Sequence, residues 1–484
     1  MDFLNSLNDI VWTYVIITML VGCALYFTYQ LRGVQFTMIG EMWRLLTQSG
    51  QTNKSTLDDK DGIRTSDKAQ KRPISSFQAF AVSLSSRVGT GNLAGVASAI
   101  AIGGPGAVFW MWVMALLGSA TAFVESTLAQ LYKRRGEDAF YGGPAYYMQH
   151  GLHRRWMGVL FAVLITVTFG MANQLVQSNT LCDILSDTLA VDIRWVGAAL
   201  TLLTLVVIFG GIQRISHFAA LCVPFMAVGY LLISLVIICM NISALPHVFR
   251  LIIDNAFGLE QAAGGMVGTA ILQGVKRGLF SNEAGEGSAP NAAAIATTSH
   301  PVKQGLLQAL GVFTDTLVIC SCTAMIILIS GLYDNGSDGI ILTTQALESE
   351  IGVAGRWFIT AAIFLFAYST IIANYFYGET NIRFVTNNNN DGGRKQKQYI
   401  LGFRLITGIT IIAGAYMTLQ TAFTLVDIVM GLMTITNLIA ILLLFPKVRT
   451  MLDDYKTQRR QGKDPKFSKQ IFDEQTQRDI IAWD

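Results

Sequence analysis

Eleven stretches of roughly 20 or more largely apolar residues dominate this chain, near 10–31, 77–103, 105–132, 156–186, 195–213, 216–240, 263–297, 304–332, 357–380, 400–420 and 423–445. A helix rises about 1.5 Å per residue, so about 20 apolar residues cross the roughly 30 Å hydrocarbon core of a bilayer. Inside lipid every backbone N–H and C=O needs an internal partner, and a helix supplies one within each segment. The expected fold is an all-α polytopic membrane protein with eleven spans. Composition points the same way: 52% of the 484 residues are hydrophobic and 14% charged, against about 25% charged in soluble domains. These values exclude a disordered chain, a nucleic-acid binder and a disulfide-rich secreted module. The six cysteines all lie in apolar stretches without C-x-x-C spacing and read as buried small hydrophobes. Met1–Asp9 is acidic and lacks a basic n-region, so the first stretch is expected to stay as a span.

Charge orients the spans. Of 35 Lys and Arg, 28 fall in segments that alternation places on one side: 32–76, 133–155, Arg214, Lys303, 381–399 and the tail after Pro446. The other side holds Arg194, Arg250 and Arg356, while Arg87, Lys276, Arg277 and Arg404 lie within spans. Basic loops stay in the cytoplasm, so the N-terminus is expected outside and the C-terminus inside. The acidic loop 333–355 then lies outside. Residues 50–72 read as a polar loop, Asn387–Asn390 with Asp391-Gly392-Gly393 as a flexible turn, and 446–484 as a charged tail able to form a surface helix.

Two segments resemble each other. Arg87-Val-Gly-Thr-Gly-Asn92-Leu-Ala94-Gly95-Val-Ala-Ser98-Ala99 and Arg277-Gly-Leu-Phe-Ser-Asn282-Glu-Ala284-Gly285-Glu-Gly-Ser288-Ala289 are identical at six of thirteen positions. The motif moves from the second span to the seventh, an odd step, so the copies cross the membrane in opposite senses. Residues 77–240 and 263–445 then form two inverted five-helix repeats, with 10–31 as an extra helix. Inverted repeats are a recurring plan of secondary transporters.

Both copies are poor continuous helices. Each interior Gly costs about 1 kcal/mol relative to Ala, and Pro about 3. Ionisable residues at mid-membrane cost about 2.5–3.5 kcal/mol on insertion scales. Gly89, Gly91 and Gly95 with Thr90 and Asn92, and Gly285, Gly287 and Pro290 with Glu283 and Glu286, therefore predict breaks whose freed amides and carbonyls face a polar cavity. Unpaired N–H groups at a half-helix N-terminus suit a carboxylate, and unpaired carbonyls suit Na⁺ or an ammonium. Close helix packing at small residues would explain the glycines but not Arg87, Asn92, Asn282, Glu283 and Glu286.

At these residues the chain resembles the alanine or glycine:cation symporters, the sodium:alanine symporter family of prokaryotes. The resemblance rests on Gly89-Thr-Gly-Asn-Leu-Ala-Gly-Val-Ala, on Gly103-Gly-Pro-Gly-Ala-Val-Phe-Trp-Met-Trp-Val-Met-Ala-Leu-Leu-Gly118, and on Gly278-Leu-Phe-Ser-Asn-Glu-Ala-Gly continuing to Gly287-Ser-Ala-Pro-Asn. It covers almost the whole chain. Glu286 departs from the pattern, where an apolar residue such as Met is expected. The resemblance implies a leucine-transporter-like fold, a single transporter domain in a prokaryotic inner membrane, and Na⁺- or H⁺-coupled uptake of a small neutral amino acid.

The same resemblance assigns roles. The amides of Thr90, Gly91 and Asn92 would bind the substrate carboxylate, and carbonyls at Arg87, Val88 and Gly89 would face a Na⁺ site completed by the hydroxyls of Ser369 and Thr370. Ser281 or Asn282 would face the pocket, with neighbouring carbonyls on the ammonium. Glu283 is expected as a latch to Arg87 or Arg277 rather than a ligand contact, and Arg277 as a gating residue. Asn173 and Gln177, four apart on one helix face, read either as interhelix glue or as cavity lining, with Gln177 the preferred pocket residue. Asp315 reads as a second cation ligand, a proton site, or a partner for a basic residue.

No nucleotide loop, G-x-S-x-G motif or metal-ligand spacing occurs, so neither an enzyme nor an ATP-driven pump is expected. His150, His153, His217, His247 and His300 read as loop or interface residues, and Phe109–Trp112 as packing. The competing reading is a cation channel whose pore is lined by Glu283, Glu286 and Asp315. Alanine and glycine are the expected substrates, with glutamine as the larger alternative.

Overall fold

The computed structural model describes residues 11–58, 73–136, 139–258, 264–386 and 394–483. The expectations for Met1–Asp9 and for Asn387–Gly393 fall outside these residues. In chain order the apolar stretches fold as α1 (Val11–Gln30), α2 (Ser76–Arg87), α3 (Gly91–Gly103), α4 (Gly106–Leu131), α5 (Arg155–Leu189), α6 (Ile193–Ile208), α7 (Gly211–Met240), α8 (Gly264–Asn282), α9 (Ala289–Ala294), α10 (Pro301–Ser330), α11 (Val353–Thr386), α12 (Arg394–Ala415) and α13 (Leu419–Arg460). Among the described residues, eight of these are long and apolar enough to cross a membrane: α1, α4, α5, α7, α10, α11, α12 and α13. The other three apolar stretches are the pairs α2–α3 and α8–α9 and the shorter α6.

Buried α4 is the central post. Helices α8, α9 and α10 pack along it, with α1 beside them. Small residues allow this closeness: Gly106 lies on the backbone of Asn255 and Ala256, and Gly274 of α8 lies on Ala107 and Trp110. On the outer surface, Leu221, Phe225 and Leu232 of α7 and Leu405 and Ile409 of α12 stand exposed, forming the apolar face that lipid requires.

Both glycine-rich motifs interrupt their helices. In the first, Val88 leaves helical geometry (φ −78°, ψ 85°), and Asn92 Oδ1 accepts the Gly89 N–H at 2.9 Å. In the second, Asn282 Oδ1 accepts the Ala284 N–H, and Glu283, Gly285 and Gly287 all take left-handed backbone conformations (φ 56°, 92° and 85°). Glycine serves at 285 and 287 because side chains strain at positive φ, while Glu283 takes that conformation with its side chain. Wide π-helical turns adjoin the breaks at Gly91–Gly95 and Phe313–Cys320, and another interrupts α5 at Thr168–Ala172.

The basic segments meet at one end. Lys303 pairs with Asp464, Arg44 approaches Asp464, His153 approaches Asp479, and Arg134 donates to the Asp479 carbonyl. The acidic loop lies at the other end, where Ser98 donates to Asp338, Asn241 to Glu350, and Arg356 pairs with Glu348.

Three sequence expectations need correction. The all-α expectation omits an antiparallel ribbon of Arg134–Arg135 with Phe140–Tyr141. Residues 50–58 of the expected loop are helical instead, as the end of the helix Ile39–Asp58, while 59–72 fall outside the described residues. The tail is no detached surface helix. Helix α13 continues through Pro446 to Arg460, because Val448, Met451, Leu452 and Tyr455 extend its buried stripe and outweigh one lost hydrogen bond. The chain then folds back, burying Phe467 and Trp483 at the basic end.

Candidate functional site

The two breaks share one polar core. Asp315, on the wide turn of α10, ties them together. Its Oδ1 accepts from Asn92 Nδ2 of the first break at 2.6 Å, and its Oδ2 from Ser281 Oγ beside the second at 2.7 Å. Thr316 Oγ1 adds a third donor at 3.0 Å. Cys320 Sγ lies between the same partners, 3.3 Å from Asn92 Nδ2 and 3.2 Å from Ser281 Oγ. Asn282 Nδ2 reaches Thr316 Oγ1 at 3.3 Å. All of these residues are buried.

A second cluster lies between the first break and α11. Thr370 Oγ1 is 2.8 Å from the Ser85 carbonyl, 3.0 Å from that of Phe366 and 3.3 Å from that of Val88. Ser369 Oγ also reaches the Phe366 carbonyl, at 3.0 Å, and Ser85 Oγ donates to the Ser369 carbonyl at 2.9 Å. A hydroxyl has one proton to donate, so three carbonyls on one hydroxyl leave lone pairs in excess. Such a set of neutral oxygens suits a hard cation. Gly89 lies directly against the Thr370 hydroxyl and Gln177, leaving no room for a side chain.

On the other side of the first break, Gln177 Oε1 accepts the Thr90 N–H at 3.1 Å while its Nε2 donates to Asn173 Oδ1 at 2.9 Å. The Thr90 hydroxyl is fully buried and has no hydrogen-bond partner among the described residues. Gly91 packs on Phe280 and the Ser281 backbone, so the breaks touch there.

Glu283 corrects the expected latch. Its carboxylate accepts from Ser86 Oγ at 2.5 Å and from Ser288 Oγ rather than from Arg87 or Arg277, because the left-handed turn carries it towards those hydroxyls. Arg277 instead pairs with Asp427 of α13 at 2.7 Å and covers the Phe423 ring at 4.2 Å. Phe423 meets Phe280 edge-on at 5.3 Å. Over this pair opens a cavity of about 410 Å³ at the acidic end, lined by Ser98, Gln273, Asp338 and Phe423 among others. The Arg87 side chain donates to the Gln308 carbonyl at 3.1 Å, and the Gly89 carbonyl accepts from the Asn92 N–H. Neither residue joins the carbonyls on Thr370; Val88 does. Hydrogen bonds pin the carboxylates of Asp315 and Glu283, which is poor geometry for the pore lining of a channel.

Glu125 of α4 is a site residue that the sequence motifs do not single out. Its oxygens accept the Gly285 N–H (3.3 Å), the Gly287 N–H (3.1 Å) and Asn437 Nδ2 (2.8 Å). An acidic residue inside a long apolar stretch was the available signal. Ser85 and Phe366 were missed because backbone carbonyls leave no mark in a sequence.

The sequence model of the sodium:alanine symporter family matches residues 1–469. A probable sodium/glutamine symporter, GlnT of Bacillus subtilis, is 48% identical over 466 residues, covering 96% of this chain and 92% of that protein. The amino-acid carrier protein AlsT of Bacillus subtilis is 45% identical over 96% of this chain and 95% of its own length. A sodium/proton-dependent alanine carrier protein of Bacillus sp. strain PS3 is 38% identical over 84% of this chain and 93% of its own. Among solved structures, MhsT in complex with L-phenylalanine superposes with a TM-score of 0.55 at 12% identity, covering 78% of this chain and all of that one. That likeness speaks for the fold: a helical membrane protein of the leucine-transporter kind.

Proposed function

The chain belongs to the sodium:alanine symporter family, and from this we infer that it couples Na⁺ entry to the uptake of a small neutral amino acid by alternating access. It is a transporter and not an enzyme. The observation that carries the ion assignment is the meeting of the Ser85, Val88 and Phe366 carbonyls on the Thr370 hydroxyl. Na⁺ takes these carbonyls together with the hydroxyls of Ser369 and Thr370. Ion binding then fixes the first break against α11, and that coupling acts in both directions.

The amino acid binds beside it. Gln177 Oε1 stands on the Thr90 N–H, where a substrate carboxylate oxygen would bind, and the unpartnered Thr90 hydroxyl gives a second donor. Gly91 and Asn92 continue this half-helix N-terminus. Ser281, Asn282 and the carbonyls of the second break face the ammonium, while Asn173 holds Gln177 in place. Asp315 keeps both breaks in register through its hydrogen bonds to Asn92 and Ser281. The Arg277–Asp427 pair, with Phe280 and Phe423, is the gate beneath the cavity at the acidic end.

This reading takes the eleven apolar stretches as eleven spans, with 77–240 and 263–445 as inverted repeats and 10–31 outside them. The basic end faces the cytoplasm by the charge rule. Uptake of labelled alanine and glycine into proteoliposomes, with an inward Na⁺ gradient or K⁺ in its place, tests the proposal. Accumulation above equilibrium that vanishes when the gradient collapses supports it; currents without any substrate requirement would replace it with a channel. Glutamine is the next substrate to test, because the 48% identical relative is named a probable sodium/glutamine symporter.

A further inference from the structure

Glu286 lies in the second break, between the left-handed Gly285 and Gly287, and is fully buried. Neither of its carboxyl oxygens has a hydrogen-bond partner among the described residues. Its two acidic neighbours are provided for. Glu283 holds the hydroxyls of Ser86 and Ser288, and Glu125 holds two amides of the break and Asn437. The charged groups that act on Glu286 are Glu283 on the break itself, Glu125 on α4, Arg87 on α2 and Asp427 on α13. Asp427 is already paired with Arg277. Arg87 is left shared among four buried carboxyls, Glu125, Glu283, Glu286 and Asp315, and its Nε and Nη2 also have no partner among the described residues.

A carboxylate with no hydrogen-bond donor and no counterion of its own does not persist in a low-dielectric interior; it takes a proton. We propose that Glu286 is a proton-binding site separate from the Na⁺ site, loaded while it is buried as here and emptied when the second break opens to water. The inference rests on the symport reading above and adds to it a second coupling ion. Binding is simple: the carboxylate gains H⁺ from water and returns it to water on the other side. On this proposal the second break gives Glu286 access to water first on one side and then on the other.

The test is alanine uptake into proteoliposomes with a trapped pH-sensitive dye, at clamped voltage and a fixed inward Na⁺ gradient. The quantity read is protons moved per alanine, which does not depend on the basal rate. Wild-type uptake is expected to acidify the lumen with a ratio near one H⁺ per alanine. E286Q, which cannot ionise, is expected to lower that ratio at least tenfold; E286M serves if E286Q does not fold. Accumulation by the wild type without lumenal acidification, or an unchanged ratio in E286Q, would overturn the proton site alone. Absence of any Na⁺-driven accumulation of alanine or glutamine in the wild type would overturn the symport reading along with it.

Discussion

At the residue scale, the Na⁺ proposal turns on single oxygens. Thr370→Val keeps shape but removes the hydroxyl on which three carbonyls converge. Its Na⁺ half-saturation for uptake is expected to rise about tenfold or more, equivalent to about 1.4 kcal/mol; an unchanged value would remove Thr370 from the ion site. Gln177→Ala takes away the side chain standing on the Thr90 amide. It is expected to weaken alanine uptake more than thermal stability, and near-normal uptake kinetics would exclude it from the pocket. Asp315→Asn replaces an acceptor of three hydrogen bonds by a group that must also donate. A stability loss of about 1–3 kcal/mol is expected, read as a lower melting temperature in detergent. Sequence exposed residues whose chemistry is odd for lipid: Asp315, Gln177, Ser369 and Thr370. It did not expose whom they bind. Asp315 faces Asn92 and Ser281 only through the wide turn at Phe313–Cys320, which has no sequence signature.

At the element scale, helices were legible because bilayer thickness sets their length, and the breaks because glycine and charge together oppose a helix. The ribbon at Arg134–Tyr141 was too short to leave a pattern. Docking of the helix Ile39–Asp58 on α13 was equally hidden, since its partners lie some 400 residues away. Burial alone would raise the Glu41 carboxyl, but hydrogen bonds from Arg44 and Tyr455 and the charge of Arg459 bring it below its ordinary value of 4.5. A carboxyl lowered in the folded state contributes stability above its ordinary range and loses it as pH falls through the folded-state value. Docking is therefore expected to hold at neutral pH and to loosen below about pH 4.5. Hydrogen exchange of the amides in Ile39–Asp58, corrected for the intrinsic rate, checks this. Glu41→Gln should abolish the pH response.

At the scale of the whole molecule, the tail beyond α13 fastens the basic end. The Phe467 N–H donates to the Ser299 carbonyl, Asp464 holds Lys303, and the Trp483 indole donates to the Gln130 carbonyl. Lys133 lies over the Trp483 ring at 4.5 Å and donates to the Ala296 carbonyl, so α4, α9 and the tail are bound together. Opening at this end requires the fastening to yield. Phe467→Ala with Trp483→Ala is expected to raise the fraction open at the basic end about tenfold. Cys320 can read that change once the exposed Cys239 and half-buried Cys222 are replaced by serine. Its sulfur is buried between Asn92 and Ser281, where the two breaks meet. A maleimide can reach it only after those breaks part, so its alkylation rate counts openings. The thiol is thus expected to serve as a built-in clock for the cycle, slowed by bound amino acid and quickened by a loosened tail.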